Sequence, residues 1–131
     1  MIQTKTEVAM GPIKGFEDYH ISDDGNVYST KISPRYNPEG ELRLVKPRLH
    51  PSGYLYYGLF VGEGKDKQRL WRRGHRLVYE KFGGEIPKGL EIDHIDGNKH
   101  NNDIDNLRAV TRSQNMKAMW ERKRNNVCGK I

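Results

Sequence analysis

The sequence predicts an α+β protein in which small antiparallel hairpins come first and a strand, loop, strand and helix unit comes last. Three observations lead there. Asp24-Gly25 sits between residues of strand propensity in YHISDDGNVYST. The run YLYYGLFV at 54–61 returns through GEGKDK into RLWRR. After Glu91, EIDHI and NLRAVT read as strands on either side of DGNKHNND, and TRSQNMKAMWERKR follows as a helix.

The Asp-Gly pair is a tight-turn signal, so the first hairpin closes at Asp24-Gly25. Residues 31–50 carry three prolines and mixed charge and are expected to form a long loop or linker. The second hairpin spans 54–73 and brings Tyr54, Tyr56, Tyr57 and Trp71 close to Lys65, Lys67, Arg69, Arg72 and Arg73. HRLVYEKF reads as a short helix with Leu77, Val78 and Phe82 inward, stopped by Gly83-Gly84 ahead of Pro87. In the last unit Thr111 and Gln114 have capping-box spacing, so the final helix is expected to start near Thr111. Met116, Met119 and Trp120 are expected to pack it on the two strands.

Composition narrows the function. At 131 residues, with 34% apolar and 31% charged residues and a formal charge of +6, the chain has a modest core and a basic surface. Such a surface usually meets nucleic acid, less often anionic lipid. No apolar run approaches a membrane span, and MIQTKTEVAM lacks the apolar core of a signal peptide, so a soluble cytoplasmic protein is expected. The single cysteine, Cys128, excludes an internal disulfide framework and a Cys-rich zinc ribbon.

Within this basic chain one segment is acidic. Between Glu85 and Asn106 stand Glu85, Glu91, Asp93, Asp96, Asp103 and Asp105, against only Lys88 and Lys99. An acidic island among basic flanks suggests a bound cation beside an anionic partner. A calcium loop does not fit, because Gly97 as the sixth position puts Ile92 first, where an acid is required. A zinc site on His94 and His100 lacks sulfur partners.

The island resembles the HNH endonucleases of the His-Me finger (ββα-metal) group, in particular the phage and intron homing type. Asp93-His94, Asp96-Gly97-Asn98, Asn101-Asn102, Asn106-Leu107 and Thr111-x-Ser113-Gln114-Asn115 carry the resemblance. GHRLVYEKFGG looks like the helix preceding that motif, and PIKGFEDYHISDDGNVYST resembles the small module often placed ahead of it. The resemblance implies that His94 is the general base, that Asp93 and Asn115 hold one Mg²⁺ or Mn²⁺ ion, and that Asn106 braces the loop orienting His94. Phosphodiester hydrolysis needs a base to activate water and a cation to stabilise charge on the phosphate and the departing 3′ oxygen. One carboxylate and one amide oxygen are hard ligands suited to either ion. Asn115 departs from the pattern that ends in histidine, which makes the site less suited to zinc.

Two expectations concern geometry. Adjacent Asp93 and His94 point to opposite faces of an ideal strand, so sharing a site requires a bend there. Asp96, Gly97, Asn98, Asn101 and Asn102 are accounted for by turn chemistry alone. His75 is expected to contact phosphate or to pack under the site.

The implied organisation is a β-rich DNA-binding region over 1–74 and a nuclease region with a basic helix over 75–131. Two clusters are candidates for gripping double-stranded DNA: Lys65, Lys67, Arg69, Arg72, Arg73 and Arg76, then Arg112, Lys117, Arg122, Lys123, Arg124 and Lys130. The aromatics beside the first cluster are read as mainly structural. The 16 residues after Asn115 are too few for a separate helix-turn-helix domain, so target choice falls to the β part and the basic tail. One motif per chain makes a nicking monomer the simplest arrangement. The other readings are a DNA-binding module of the same fold without activity and an RNA-directed nuclease.

Overall fold

The computed structural model describes residues 9–128. The leader reading of the first residues, the side chain of Cys128 and the place of Lys130 in the basic tail fall outside what it describes. Among the described residues there are three antiparallel sheets. The first orders β1 (Met10–Ile13), β2 (Phe16–Ser22), β3 (Val27–Ser29) and β4 (Arg43–Leu44) side by side. The second is β5 (Arg48–Leu49), β6 (Leu55–Val61) and β7 (Gln68–Arg73). The third pairs β8 (Leu90–His94) with β9 (Leu107–Thr111). Helix α1 (Gly74–Val78) follows β7, and α2 (Arg112–Cys128) follows β9. No helix of the described residues is long and apolar enough to cross a membrane.

The β2–β3 hairpin closes where Asp24-Gly25 places it. Gly25 takes φ +97°, a region that L side chains avoid, and its N–H donates to the Ser22 carbonyl at 3.0 Å. The Ser22 hydroxyl donates to Asp24 Oδ1 and accepts from the Asn26 N–H, tightening the same turn.

Residues 31–50 are mostly the long loop expected, but not a free linker. They supply β4 to the first sheet and β5 to the second. Ahead of β4, Asn37, only 5% exposed, donates to the Lys31 and Glu41 carbonyls and accepts from the Glu41 N–H and Arg43 Nε. A buried amide used as a splint for main-chain groups leaves no periodic signal in the sequence.

Strand alternation divides the β6–β7 hairpin. Tyr57 and Leu59 go inward, while Tyr56, Gly58 and Phe60 share the outer face with Arg73, Trp71 and Arg69 opposite them. The inner face joins one apolar cluster containing Ile21 and Val27 of the first sheet, Leu77 and Val78 of α1, and Ile92 and Leu107 of the last hairpin. Tyrosine hydroxyls link the layers: Tyr19 accepts from the Phe60 N–H at 3.0 Å, and Tyr57 donates to the Gly25 carbonyl at 3.2 Å.

HRLVYEKF is helical throughout, as its pattern predicts, but only its first part is α-helix. The α-helix starts at Gly74, and after Val78 the chain widens into a π turn over Tyr79–Gly83, ending at Gly84 with φ +100°.

The capping box at the start of α2 is formed. Thr111 Oγ1 accepts from the Gln114 N–H at 3.2 Å, and Gln114 Oε1 accepts from the Thr111 N–H at 2.9 Å. The packing expected of α2 is not. Met116, Met119 and Trp120 are exposed by 47%, 43% and 57%. A two-stranded sheet offers the helix only a narrow apolar strip, so capping and the polar contacts of the site fix its start instead.

Candidate active site

The site lies where β8 ends. Asp93 pairs with Arg108 and His94 with Leu107 in the β8–β9 register. The strand then gives way to the loop 95–106, and both side chains line one cavity of about 150 Å³ with Tyr54, Asn115 and Arg122. The bend expected between them is not seen: both lie within β8 and keep the ladder register, yet both line the cavity. Asp93 and His94 are 4% and 3% exposed.

Asp93 is held by two guanidinium groups. Arg108 Nε donates to its Oδ2 at 2.9 Å from the paired strand, and Arg122 Nη2 donates to the same oxygen at 3.2 Å from α2. Arg122 Nη2 also donates to the His94 carbonyl at 2.8 Å. Placed in the sequence reading among the phosphate-gripping bases, Arg122 instead reaches down from α2 and ties the helix to the end of β8. Arg108 is absent from that reading; the β8–β9 register, which puts it directly opposite Asp93, is the signal that finds it.

His94 is oriented from one side. Its Nε2 lies 2.7 Å from Asn102 Oδ1, a buried contact. An amide oxygen only accepts, so Nε2 carries the proton and Nδ1 is the basic nitrogen of the neutral ring. The assignment of Asn102 to turn chemistry alone therefore fails: it is 3% exposed and touches the ring itself. Burial lowers the His94 pKa below the ordinary histidine value, although the Asn102 bond and Asp93 act in the opposite direction.

His75 packs beneath. Its ring stacks on Tyr54 at 4.9 Å and stands 5.2 Å from the His94 ring. Burial first, then His94, Arg73 and Arg76, lower its pKa to about 3. The unfolded chain binds a proton near pH 6.5 that the folded chain refuses until about pH 3, so stability present above 6.5 is lost as pH falls. Between pH 7 and pH 5 this amounts to about 2 kcal/mol. Urea unfolding at the two pH values is expected to show that loss in the wild type and a loss smaller by about 2 kcal/mol in His75→Phe. An unchanged difference in the variant would remove His75 as the cause.

The loop is braced by Asn106. Its Oδ1 accepts from the Asp96 N–H at 3.0 Å, while Nδ2 donates to Asp96 Oδ1 and to the Asn101 carbonyl, each at 2.9 Å. Asp96 also accepts from Asn101 Nδ2 and the Asn98 N–H. Donors from Asn101, Asn98 and Asn106 hold the Asp96 carboxyl below its usual range.

Asn115 lies in the first turn of α2, and its Nδ2 donates to Glu91 Oε2 at 3.2 Å. Its Oδ1 is therefore the atom available to a cation. With the Asp93 carboxylate on the same cavity, the donor set is one charged and one neutral hard oxygen. Among the described residues no three His, Cys, Asp or Glu side chains form a metal cage. A cation fitting this pair takes its remaining ligands from water and substrate, the habit of Mg²⁺.

The basic residues are distributed unequally. Arg69 lies over Trp71 at 4.4 Å, Lys67 over Phe60 at 4.6 Å, and Arg73 Nε donates to the Tyr56 hydroxyl at 2.8 Å. On this outer face Tyr56, Phe60 and Trp71 are platforms for cations rather than core, whereas Tyr57 on the inner face is buried. Arg72 points to the opposite face, over Phe16 at 5.4 Å. Arg76 faces Glu80 at 3.8 Å. Lys65 sits in the β6–β7 turn, and Arg112, Lys117, Lys123 and Arg124 are exposed along α2.

A β hairpin presenting a histidine and an adjacent carboxylate, followed by a helix that returns an amide to the same cavity, defines the ββα class of nuclease fold. Residues 72–117 match the family model described as HNH endonuclease, and residues 11–60 match the NUMOD4 motif. The DNA endonuclease I-HmuI of Bacillus phage SP01 is 39% identical over 111 residues, covering 84% of this chain and 56% of that protein. The H-N-H endonuclease F-TflII of Escherichia phage T5 is 32% identical over 76% of this chain and 46% of its own length. A solved structure of I-HmuI, described as DNA binding and cleavage by the HNH homing endonuclease, superposes with a TM-score of 0.66 at 33% identity, over 88% of this chain and 59% of that one. The chain belongs to the HNH endonuclease family. It spans about half the length of I-HmuI and F-TflII. HNH nucleases are in general dependent on a divalent metal.

Proposed function

We propose that this protein is a homing-type DNA endonuclease that hydrolyses phosphodiester bonds to 5′-phosphate and 3′-hydroxyl ends, nicking duplex DNA as a monomer in the cytoplasm of a bacterial host. One observation carries the reading: His94 is held with Nε2 on Asn102 at the mouth of a cavity that Asp93 and Asn115 also line. His94 Nδ1 takes the proton of the attacking water. Asp93 and Asn115 Oδ1 would hold a single Mg²⁺ or Mn²⁺ ion. When bound, that ion supplies positive charge to the phosphate and the departing 3′ oxygen. Asn106 keeps the loop closed behind His94, and Arg122 keeps α2 over it.

In this reading residues 1–74 grip the DNA and residues 75–131 cut it. The outer face of β6–β7, with Lys67, Arg69 and Arg73 over aromatic rings, suits phosphate contacts along a duplex. Neutralising Arg69 and Arg73 is expected to weaken binding on all sequences and to make the log-log salt dependence shallower by about 0.9 for each phosphate no longer neutralised. Arg72→Ala, on the opposite face, is expected to leave the slope as it is. Equal slopes in wild type and the double variant would move the DNA to another surface.

The activity is tested on supercoiled plasmid with and without Mg²⁺. Nicked product that requires the ion is expected. Linear product as the first species would overturn single-strand cleavage, and full activity in EDTA would overturn the metal requirement. Binding without cutting under every metal would leave a DNA-binding module, and a preference for RNA in the same assay would redirect the substrate.

A further inference from the structure

Among the described residues Asn102 is the one polar side chain hydrogen-bonded to the His94 ring, and although it sits in the loop of the same hairpin, the N-terminal part of the protein packs against it. The Asp23–Gly25 turn lies directly against it. A Cβ built on Gly25 would stand 2.8 Å from Asn102 Cβ and 3.1 Å from its carbonyl carbon and oxygen. The Asp23 carbonyl accepts the Ile104 N–H at 2.9 Å, fixing the backbone just after Asn102. On the other side Gly74 makes room for the amide, since a Cβ there would stand 2.9 Å from Asn102 Nδ2. Tyr57, 2% exposed, donates its hydroxyl to the Gly25 carbonyl and so anchors the turn to the second sheet.

We propose that Asn102 is a positioning residue for the His94 base and that the Asp23–Gly25 turn is the support that places it, so the N-terminal module forms part of the nuclease site as well as the DNA grip. The inference rests on the reading of His94 as general base. The physical reason is tautomer selection. A neutral imidazole has one donor and one acceptor nitrogen, and the partner of one decides the role of the other. With Asn102 Oδ1 at Nε2, the proton is parked away from the reaction and Nδ1 is left to receive one. Without that acceptor the ring is free to carry its proton on Nδ1 and to turn, and either change removes the base from use. The support comes from residues some eighty positions earlier. The rate of the chemical step therefore depends on the docking of a turn far from His94 in the sequence.

The test uses the full-length protein with Mg²⁺ and a plasmid substrate, and adds nitrogen-15 NMR of the His94 ring, which distinguishes the two tautomers. Asn102→Leu is expected to lower kcat by about 10- to 100-fold, the usual effect of removing the outer partner of a site histidine. Its KM and DNA affinity are expected to stay near wild type, and the ring signal to move from pure Nε2–H to a mixture. Asn102→Asp keeps an acceptor in the same place and is expected to retain the Nε2–H signal and to recover most of kcat. Tyr57→Phe removes one hydrogen bond to the turn and is expected to lower kcat by roughly 2- to 10-fold at unchanged DNA affinity. Gly25→Ala is expected to resemble Asn102→Leu when circular dichroism shows it folded; if it does not fold, Tyr57→Phe decides the role of the turn. Wild-type kcat and tautomer in Asn102→Leu would overturn the role of Asn102, and so would an Asn102→Asp no better than Asn102→Leu. Wild-type kcat in Tyr57→Phe would overturn the role of the turn. His94→Ala runs in parallel: if it cuts at the wild-type rate the base assignment fails, whereas an inactive His94→Ala beside a fully active Asn102→Leu defeats only the present inference.

Discussion

Replacing His94 with alanine is expected to lower the cleavage rate by about 10²- to 10⁴-fold, the usual loss when a positioned general base is removed. His94 is the histidine whose ring lines the cavity with Asp93 and Asn115 and whose Nε2 is fixed, leaving Nδ1 as the proton acceptor. The other imidazoles are placed differently. His75 lies beneath, buried against Tyr54, and His50 bonds Ser52 and stacks on Tyr56 in another turn. DNA affinity is expected to change little, because the cations assigned to DNA lie on other elements. The measurement is single-turnover cleavage beside a binding titration. A wild-type rate in the variant would show that another group activates the water.

The second large effect belongs to Asp93. Asp93→Asn keeps the shape of the side chain but removes its charge, and the site then offers a cation two neutral oxygens. Loss of the anionic ligand is expected to abolish measurable Mn²⁺ binding by calorimetry. Cleavage is expected to fall by about 10³-fold, since a metal contributes several kcal/mol to the transition state. Asn115→Ala is expected to do the same to a smaller degree. There is a structural cost as well, because Arg108 and Arg122 both use the Asp93 carboxylate as their counter-charge. Thermal unfolding without metal separates the two effects: lost stability reports the guanidinium pairs, and lost Mn²⁺ heat reports the ligand. Equal Mn²⁺ affinity in wild type and Asp93→Asn would place the cation elsewhere.

The two arginines on Asp93 bear on how its buried charge is kept. A buried carboxylate without a cation is costly. Here Arg122 reaches from α2 and Arg108 from the paired strand, so the charge is balanced within the protein itself. The acidic island thus carries its own cations at the point where its charge is most buried, and its basic flanks do not all face solvent.

Local signals fixed a good part of this molecule in advance. The Asp-Gly turn, the second hairpin, the strand pair around Asp93 and Leu107, and the capping box at Thr111 each depend on residues within a few positions of one another, and each formed where the sequence placed it. Alternation also assigns Arg72 and Arg73 to opposite faces once the strand is known.

What only the tertiary structure decided involves residues distant in sequence that meet through main-chain groups or through shape. Two short strands inside 31–50 exist because neighbouring strands offer them partners and Asn37 ties the segment leading into the first, not because their own residues favour extension. Met116, Met119 and Trp120 have the spacing of a packing face, yet a two-stranded sheet is too narrow to cover them. Arg122 reads as one more base in a charged helix until the fold sets it on Asp93. Asn102 reads as turn chemistry until the fold sets it on His94, with the Gly25 turn, distant in sequence, packed against it. By itself the sequence determined which groups are candidates for the chemistry, because reactive side chains come in a spaced pattern. The fold decided how those groups are oriented, because orientation is imposed by contacts between residues that the sequence does not place side by side.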